Sequence, residues 1–197
     1  MSEADAGVDP FALLRAWFDA AVGSGLREPN AMTLATATPA GVPSARIVLL
    51  KQIDDRGLVF FTNYQSRKGR EIANNPRAAL VLFWPTLERQ VRVEGIVETT
   101  TDAESDEYFV TRPPNSRLGA WASLQSSVLS GREELERRQR EFEAKYPAGD
   151  VPRPPHWGGY RVVPEAFEFW QGRPNRLHDR IRFRLIAGTW VRDRLSP

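Results

Sequence analysis

The sequence contains no cysteine, which excludes disulfides, thiolate nucleophiles and iron–sulfur clusters together. Histidine is nearly as scarce: His156 and His178 are the only two, too few for a protein zinc site. Any redox chemistry therefore has to come from a bound organic group. No apolar run approaches the roughly 20 residues that span a bilayer. The acidic start, Met1-Ser2-Glu3-Ala4-Asp5, lacks the apolar core of a signal peptide, so the expected location is the cytoplasm. The chain has no G-x-G-x-x-G, no Walker loop and no G-x-S-x-G, which removes the usual support for dinucleotide, nucleoside triphosphate and serine hydrolase readings. What remains is ordinary in bulk: 197 residues, 41% hydrophobic and 26% charged, enough for one substantial core. The 27 Lys and Arg nearly balance 25 Asp and Glu, too even to imply nucleic acid without clustering.

Local patterns then place the elements. Asp9-Pro10 reads as an N-cap followed by proline in the first turn, and Phe11, Leu14, Phe18 and Ala21 recur at helical spacing up to Gly23. Strands are expected at 31–38, 44–52, 58–62, 78–84 and 89–99, with turns at Pro39-Ala40-Gly41 and Asp54-Asp55-Arg56-Gly57. Ser66 reads as the cap of a helix over 67–74. Thr101 with Glu104 forms a capping box for a helix to about Thr111, ended by Pro113-Pro114. Ser116 caps a further turn, and 132–145 is a charged surface helix. Strands at 157–163, 167–170, 177–185 and 190–195 complete the chain. About eight short strands without strict strand–helix alternation predict a mainly β, α+β protein: one antiparallel barrel with peripheral helices spanning 1–197, its residues 1–8 a flexible arm.

Several polar groupings ask for a ligand. On a strand leaving the 171–175 turn, Arg176, His178 and Arg180 would share one face, and like charges side by side repel unless something negative lies between them. A solvated basic face is the alternative. Arg46 and Lys51 bracket an apolar strand, roughly 17 Å apart at the usual rise per residue, although their odd spacing places them on opposite faces. Ser66-Arg67-Lys68-Gly69 puts cations in a first helical turn, where the dipole disfavours them unless an anion binds. Tyr108 and Arg112, four apart, share a helix face, with Ser116 nearby as a third donor for an anion. Gln125-Ser126-Ser127 is a polar patch, and Trp170 is either core or a stacking surface.

Taken in order, Arg46-Ile47-Val48-Leu49-Leu50-Lys51, Ser66-Arg67-Lys68, Leu87-Glu88-Arg89-Gln90-Val91, Gln125-Ser126-Ser127, Phe167-Glu168-Phe169-Trp170-Gln171-Gly172 and Arg176-Leu177-His178-Asp179-Arg180 resemble the pyridoxamine 5′-phosphate oxidase family from about Asp9 to Pro197. That resemblance implies an FMN-binding split β-barrel working as a homodimer, with flavin at the subunit interface. It implies FMN contacts from Arg46, Ile47, Val48, Leu49, Leu50 and Lys51, from Phe61, Thr62, Arg67, Lys68 and Gln90, and from Gln125, Ser126, Trp170 and Arg180. It places substrate contacts on Lys51, Tyr108, Arg112, Ser116, Arg176, Leu177 and His178, with Arg176 and His178 as the catalytic pair. His178 is left as either orienter or proton acceptor. The implied reaction oxidises pyridoxamine or pyridoxine 5′-phosphate to pyridoxal 5′-phosphate, with O2 as acceptor and H2O2 as product.

Two features depart from the family pattern. Only about eight residues precede the first helix, where many members carry a longer arm that closes over the substrate. Phe61 stands where tyrosine is common. A related flavin oxidase with another substrate, such as a phenazine-pathway oxidase, is the nearest alternative. A non-catalytic carrier of FMN or pyridoxal phosphate is disfavoured by Arg176 and His178. A nucleic-acid-binding barrel would use basic residues interleaved with Trp157, Tyr160 and Trp170. The expected partners are small molecules and a second copy, with no nucleic acid, membrane or metal.

Overall fold

A computed structural model describes all 197 residues. Its frame is one nine-stranded antiparallel sheet: β1 (Ala31–Ala37), β2 (Pro43–Leu49), β3 (Gln52–Asp54), β4 (Gly57–Asn63), β5 (Arg77–Trp84), β6 (Arg89–Thr99), β7 (Trp157–Gln171), β8 (Asp179–Ile186) and β9 (Thr189–Leu195). Six helices decorate it: α1 (Glu3–Ala6), α2 (Pro10–Gly23), α3 (Arg67–Asn74), α4 (Asp102–Val110), α5 (Pro114–Ala122) and α6 (Arg132–Lys145). None is long and apolar enough to cross a membrane. The mainly β, antiparallel architecture with peripheral helices is the one expected.

The sheet runs β2-β1-β5-β6-β7-β4-β3, with β8 and β9 branching from β7. The branch is the fold's main device. From Tyr160 to Gln171 β7 pairs with β6, whereas its other edge pairs with β4 through residues 157–162 and with β8 through residues 166–171. Pro164 lies between those two partners, and proline has no N–H to give a ladder. Opposite it, the β6 register shifts at Glu94/Gly95. A Cβ on Gly95 would lie 2.0 Å from the Val163 carbonyl oxygen, so only glycine fits the bulge. The sequence separates 157–163 from 167–170; the structure makes them one continuous strand, bent rather than broken.

Alternation fills the barrel. On β1, Met32, Leu34 and Thr36 point inward, and β5 and β6 supply Leu80, Leu82, Val91 and Val93. Asp9 accepts from the Phe11 N–H at 2.8 Å and starts α2, whose buried face carries Phe11, Leu14, Trp17 and Ala21. Edge-on contacts of Phe11 with Phe167 (5.2 Å) and of Trp17 with Phe169 (5.4 Å) seat that helix on β7. Each such side chain contributes about 1.5–3 kcal/mol on burial.

Four local expectations are corrected. Residues 177–185 do not form a strand from Leu177: β8 begins at Asp179. Asn175 and Arg176 both take left-handed conformations (φ 59° and 62°) in a tight turn that opens at Pro174, so Arg176, His178 and Arg180 are not three alternate positions of one strand. Ser116 does not cap α5, which starts two residues earlier at Pro114. The 44–52 strand is interrupted at Leu50 and Lys51, giving β2 and β3. The first residues, expected as a flexible arm over 1–8, carry the Ser2-capped α1, with Ala6 buried and Glu3 paired to Arg194.

Candidate functional site

No pairing joins β2 to β4, and a cavity of about 1010 Å³ opens where they part. That volume is at the upper end for small-molecule sites and accommodates two ligands of moderate size. Arg46, Ile47, Val48 and Leu49 line it from β2, Phe61 and Thr62 from β4, and Lys68 from α3. Tyr108, Arg112 and Ser116 approach from α4 and α5, with Gln125 and Trp157 completing the wall. Lys51 also lines it: the interruption after Leu49 reconciles the odd spacing of Arg46 and Lys51. Leu50 instead turns into the core, 4% exposed.

The α3 end of the cavity is electropositive by construction. Ser66 is fully buried and its hydroxyl accepts from the Gly69 N–H at 3.3 Å. Glycine is required at 69 because a Cβ would lie 2.0 Å from the Tyr64 carbonyl oxygen. Lys68 is 8% exposed, and its ammonium donates to Gln125 Oε1 (2.8 Å), Thr62 Oγ1 (3.0 Å) and Ser66 Oγ (3.4 Å). None of these is an anion. Burial, helped by the Arg46 charge, lowers its pKa to about 8. Ser126, at φ 70°, accepts from the Arg67 N–H at 3.1 Å and so ties the 123–127 loop to the helix start.

Sequence reasoning missed Glu71, which organises this end. It accepts from Thr36 and Ser44, from Arg67 Nε at 2.9 Å and from Arg46 Nη2 at 3.4 Å. Burial raises its pKa, but the hydroxyl and guanidinium donors outweigh that and hold it at about 2. The Arg67–Glu71 spacing of four was the available signal.

At the α4–α5 end, Phe61 stacks on Tyr108 at 4.1 Å and 16°, and on Trp157 at 5.6 Å and 11°. Lys51 Nζ lies 5.6 Å over the Tyr108 ring. The Arg112 guanidinium lies 4.6 Å over Trp157, and its buried Nη1 has no hydrogen-bond partner. Burial lowers the Arg112 pKa. A buried, unpaired guanidinium donor is costly and marks a place for an acceptor.

The other singled-out residues lie elsewhere. Gln90, Trp170 and Arg180 face one another across β6, β7 and β8, a lateral row that Phe83 extends on β5. Phe83 is 57% exposed and was also missed. Arg180 is held by Glu168 at 2.8 Å and by the Ser196 carbonyl at 2.9 Å. His178 packs against Trp170 with centroids 4.6 Å apart, and its Nδ1 accepts from the Arg173 N–H at 3.2 Å. In the neutral ring that leaves the proton on Nε2, which is then a donor. Arg176 and Leu177 are exposed beside it. One chain thus carries two separate patches, the cavity and this row.

Residues 18–146 match the family model described as pyridoxamine 5′-phosphate oxidase, and residues 157–197 match one described as the pyridoxine 5′-phosphate oxidase C-terminal dimerisation region. A pyridoxine/pyridoxamine 5′-phosphate oxidase from Nostoc punctiforme is 61% identical, covering 100% of this chain and 92% of that protein. One from Cupriavidus necator is 62% identical, covering 100% and 93%. Among solved structures, PhzG from Burkholderia lata, in complex with tetrahydrophenazine-1-carboxylic acid, superposes with a TM-score of 0.94 at 35% identity over 98% of this chain and 95% of that one. A pyridoxamine 5′-phosphate oxidase-related, FMN-binding protein from Nostoc punctiforme shares the fold (TM-score 0.74, 17% identity, 97% and 100% covered).

Proposed function

The chain belongs to the pyridoxamine 5′-phosphate oxidase family, a family of oxidoreductases, and from that premise we propose that it oxidises pyridoxine or pyridoxamine 5′-phosphate to pyridoxal 5′-phosphate. It does so as a cytoplasmic homodimer carrying FMN. The alcohol substrate gives up two hydrogens that end in H2O2; the amine does the same, then takes up water and releases ammonia. One observation carries this reading: a single cavity holds Lys68 and Arg112, two desolvated cations with no carboxylate partner. Two anionic groups, a cofactor's and a substrate's, answer that need.

The residues present fit FMN. Arg46, Arg67, Lys68 and the α3 N-terminus would hold its phosphate end, with Ile47, Val48, Leu49, Lys51, Phe61, Thr62, Gln125 and Ser126 along its body. When bound, FMN supplies a two-electron acceptor that O2 reoxidises. Gln90, Trp170 and Arg180 would come from the second copy, as would Arg176, Leu177 and His178. Support for that division is the separation of the two patches, together with the match of 157–197 to a dimerisation region. Lys51, Tyr108, Arg112 and Ser116 would anchor the substrate phosphate while Arg176 holds the opposite edge of the ring, fixing the reacting carbon in one orientation. His178 acts there as a hydrogen-bond donor through Nε2 and orients the substrate.

A second reading, a phenazine-pathway oxidase, draws on the similarity to PhzG. Oxygen uptake and peroxide formation measured on pyridoxine 5′-phosphate, pyridoxamine 5′-phosphate, their unphosphorylated forms and a dihydrophenazine separate the two. Turnover confined to the phosphorylated vitamers supports the proposal; turnover of the phenazine alone refutes it.

A further inference from the structure

Most arginines at the two patches are held by acids. Arg46 and Arg67 reach Glu71, and Arg180 reaches Glu168. A carboxylate fixes a guanidinium well, but it uses up donors and cancels charge. Arg112 is held differently. Its guanidinium lies on the face of Trp157 at 4.6 Å and near Phe109 at 5.5 Å, and its side chain makes no hydrogen bond. Stacking sets the plane of the group while leaving its N–H edges and its full charge free.

The platform is itself rigid. Trp157 is 6% exposed, pairs with Asn63 at the start of β7, and is clamped between Phe61 (5.6 Å, 11°) and the edge of Phe109 (5.0 Å, 67°). We propose that Trp157 is the positioning residue that presents Arg112 to the substrate phosphate, and so sets the preference for phosphorylated over unphosphorylated substrate. The inference rests on the reading of Arg112 as a phosphate anchor. An acid in place of the indole would repel the ligand, and an aliphatic chain would leave the guanidinium plane unset.

The test uses holoenzyme carrying Trp157→Met or Trp157→Phe, the latter keeping a weaker aromatic face. KM and kcat are measured for pyridoxine 5′-phosphate and for pyridoxine, beside inorganic phosphate affinity by calorimetry. Trp157→Met is expected to raise KM for the phosphorylated substrate about tenfold, the loss of one desolvated cation–π contact, with kcat changed far less. The loss on pyridoxine should be several-fold smaller, and Trp157→Phe should fall between Met and the parent. Equal losses on both substrates would mean a merely structural role and would overturn the proposal, as would an unchanged KM. Should Trp157→Met not fold, the same split in Trp157→Phe decides. If the parent oxidises neither vitamer, phosphate affinity alone decides: weaker binding in the variants upholds Trp157 while the substrate assignment falls, and equal binding sinks both.

Discussion

Replacing Lys68 by methionine should make the cofactor-free protein more stable while weakening its hold on FMN. In the folded chain the Lys68 pKa drops from the ordinary 10.5 to about 8 because burial penalises the ammonium. At about 1.4 kcal/mol per tenfold change in proton affinity, the charge costs roughly 3 kcal/mol at neutral pH. The sign follows from proton counting: between pH 8 and 10.5 the unfolded chain holds a proton that the folded chain has released, so this group's contribution to stability rises with pH across that window. Below it the whole cost is present. Methionine removes the charge and keeps the length, but loses hydrogen bonds to Thr62, Ser66 and Gln125. Thr62 and Gln125 remain bonded to each other at 3.2 Å, so the net gain should be about 1–2 kcal/mol. For a chain of this size that raises Tm by about 2–8 °C. Thermal unfolding of cofactor-free Lys68→Met and parent protein, followed by circular dichroism at pH 7 and pH 10, measures it. The variant's advantage should shrink at the higher pH, and fluorescence titration should show FMN affinity reduced at least about tenfold. A variant less stable than the parent at pH 7 would show that Lys68 is not a strained cation awaiting an anion.

Arg112→Gln should raise KM for pyridoxine 5′-phosphate by about 10- to 100-fold, the worth of a charge-assisted hydrogen bond, with a smaller effect on kcat. Steady-state kinetics giving equal KM for variant and parent would remove Arg112 from the phosphate site. In acid, Glu71 and Glu104, both held at about 2, contribute stability that is complete above their ordinary 4.5 and lost as pH falls through 2, up to roughly 3 kcal/mol for the buried Glu71. Urea unfolding of Glu71→Gln should show a flatter pH dependence between 4.5 and 2 than the parent; parallel curves would contradict that.

Local signals were readable and distant ones were not. The Asp9-Pro10 start of α2, the Ser66 cap and the Thr101–Glu104 capping box depend on residues within three positions, and each is formed. Alternation located the strands for the same reason. The continuation of the 171–175 turn through Arg176 escaped because Asn175 and Arg176, neither of them glycine, both take left-handed conformations. Trp157 and Arg112 lie 45 positions apart and meet only because α4 packs against β7, so no spacing rule could join them. Glu71 reads as half of an i, i+4 surface pair until folding buries it under Thr36 and Ser44. The cavity's lining gathers Arg46, Lys51, Phe61, Lys68, Tyr108, Arg112, Ser116 and Gln125. Gln90, Trp170, Arg180 and His178 lie outside it, which a single chain's sequence could not reveal.

The reductive half-reaction of the purified holoenzyme tests the whole account most directly. Mixed with pyridoxamine 5′-phosphate without oxygen, the flavin's visible absorbance should bleach once and return when air is admitted, with pyridoxal 5′-phosphate formed in equal amount to the flavin. Purified protein that carries no flavin, or a flavin that keeps its colour with every phosphorylated vitamer, would contradict it.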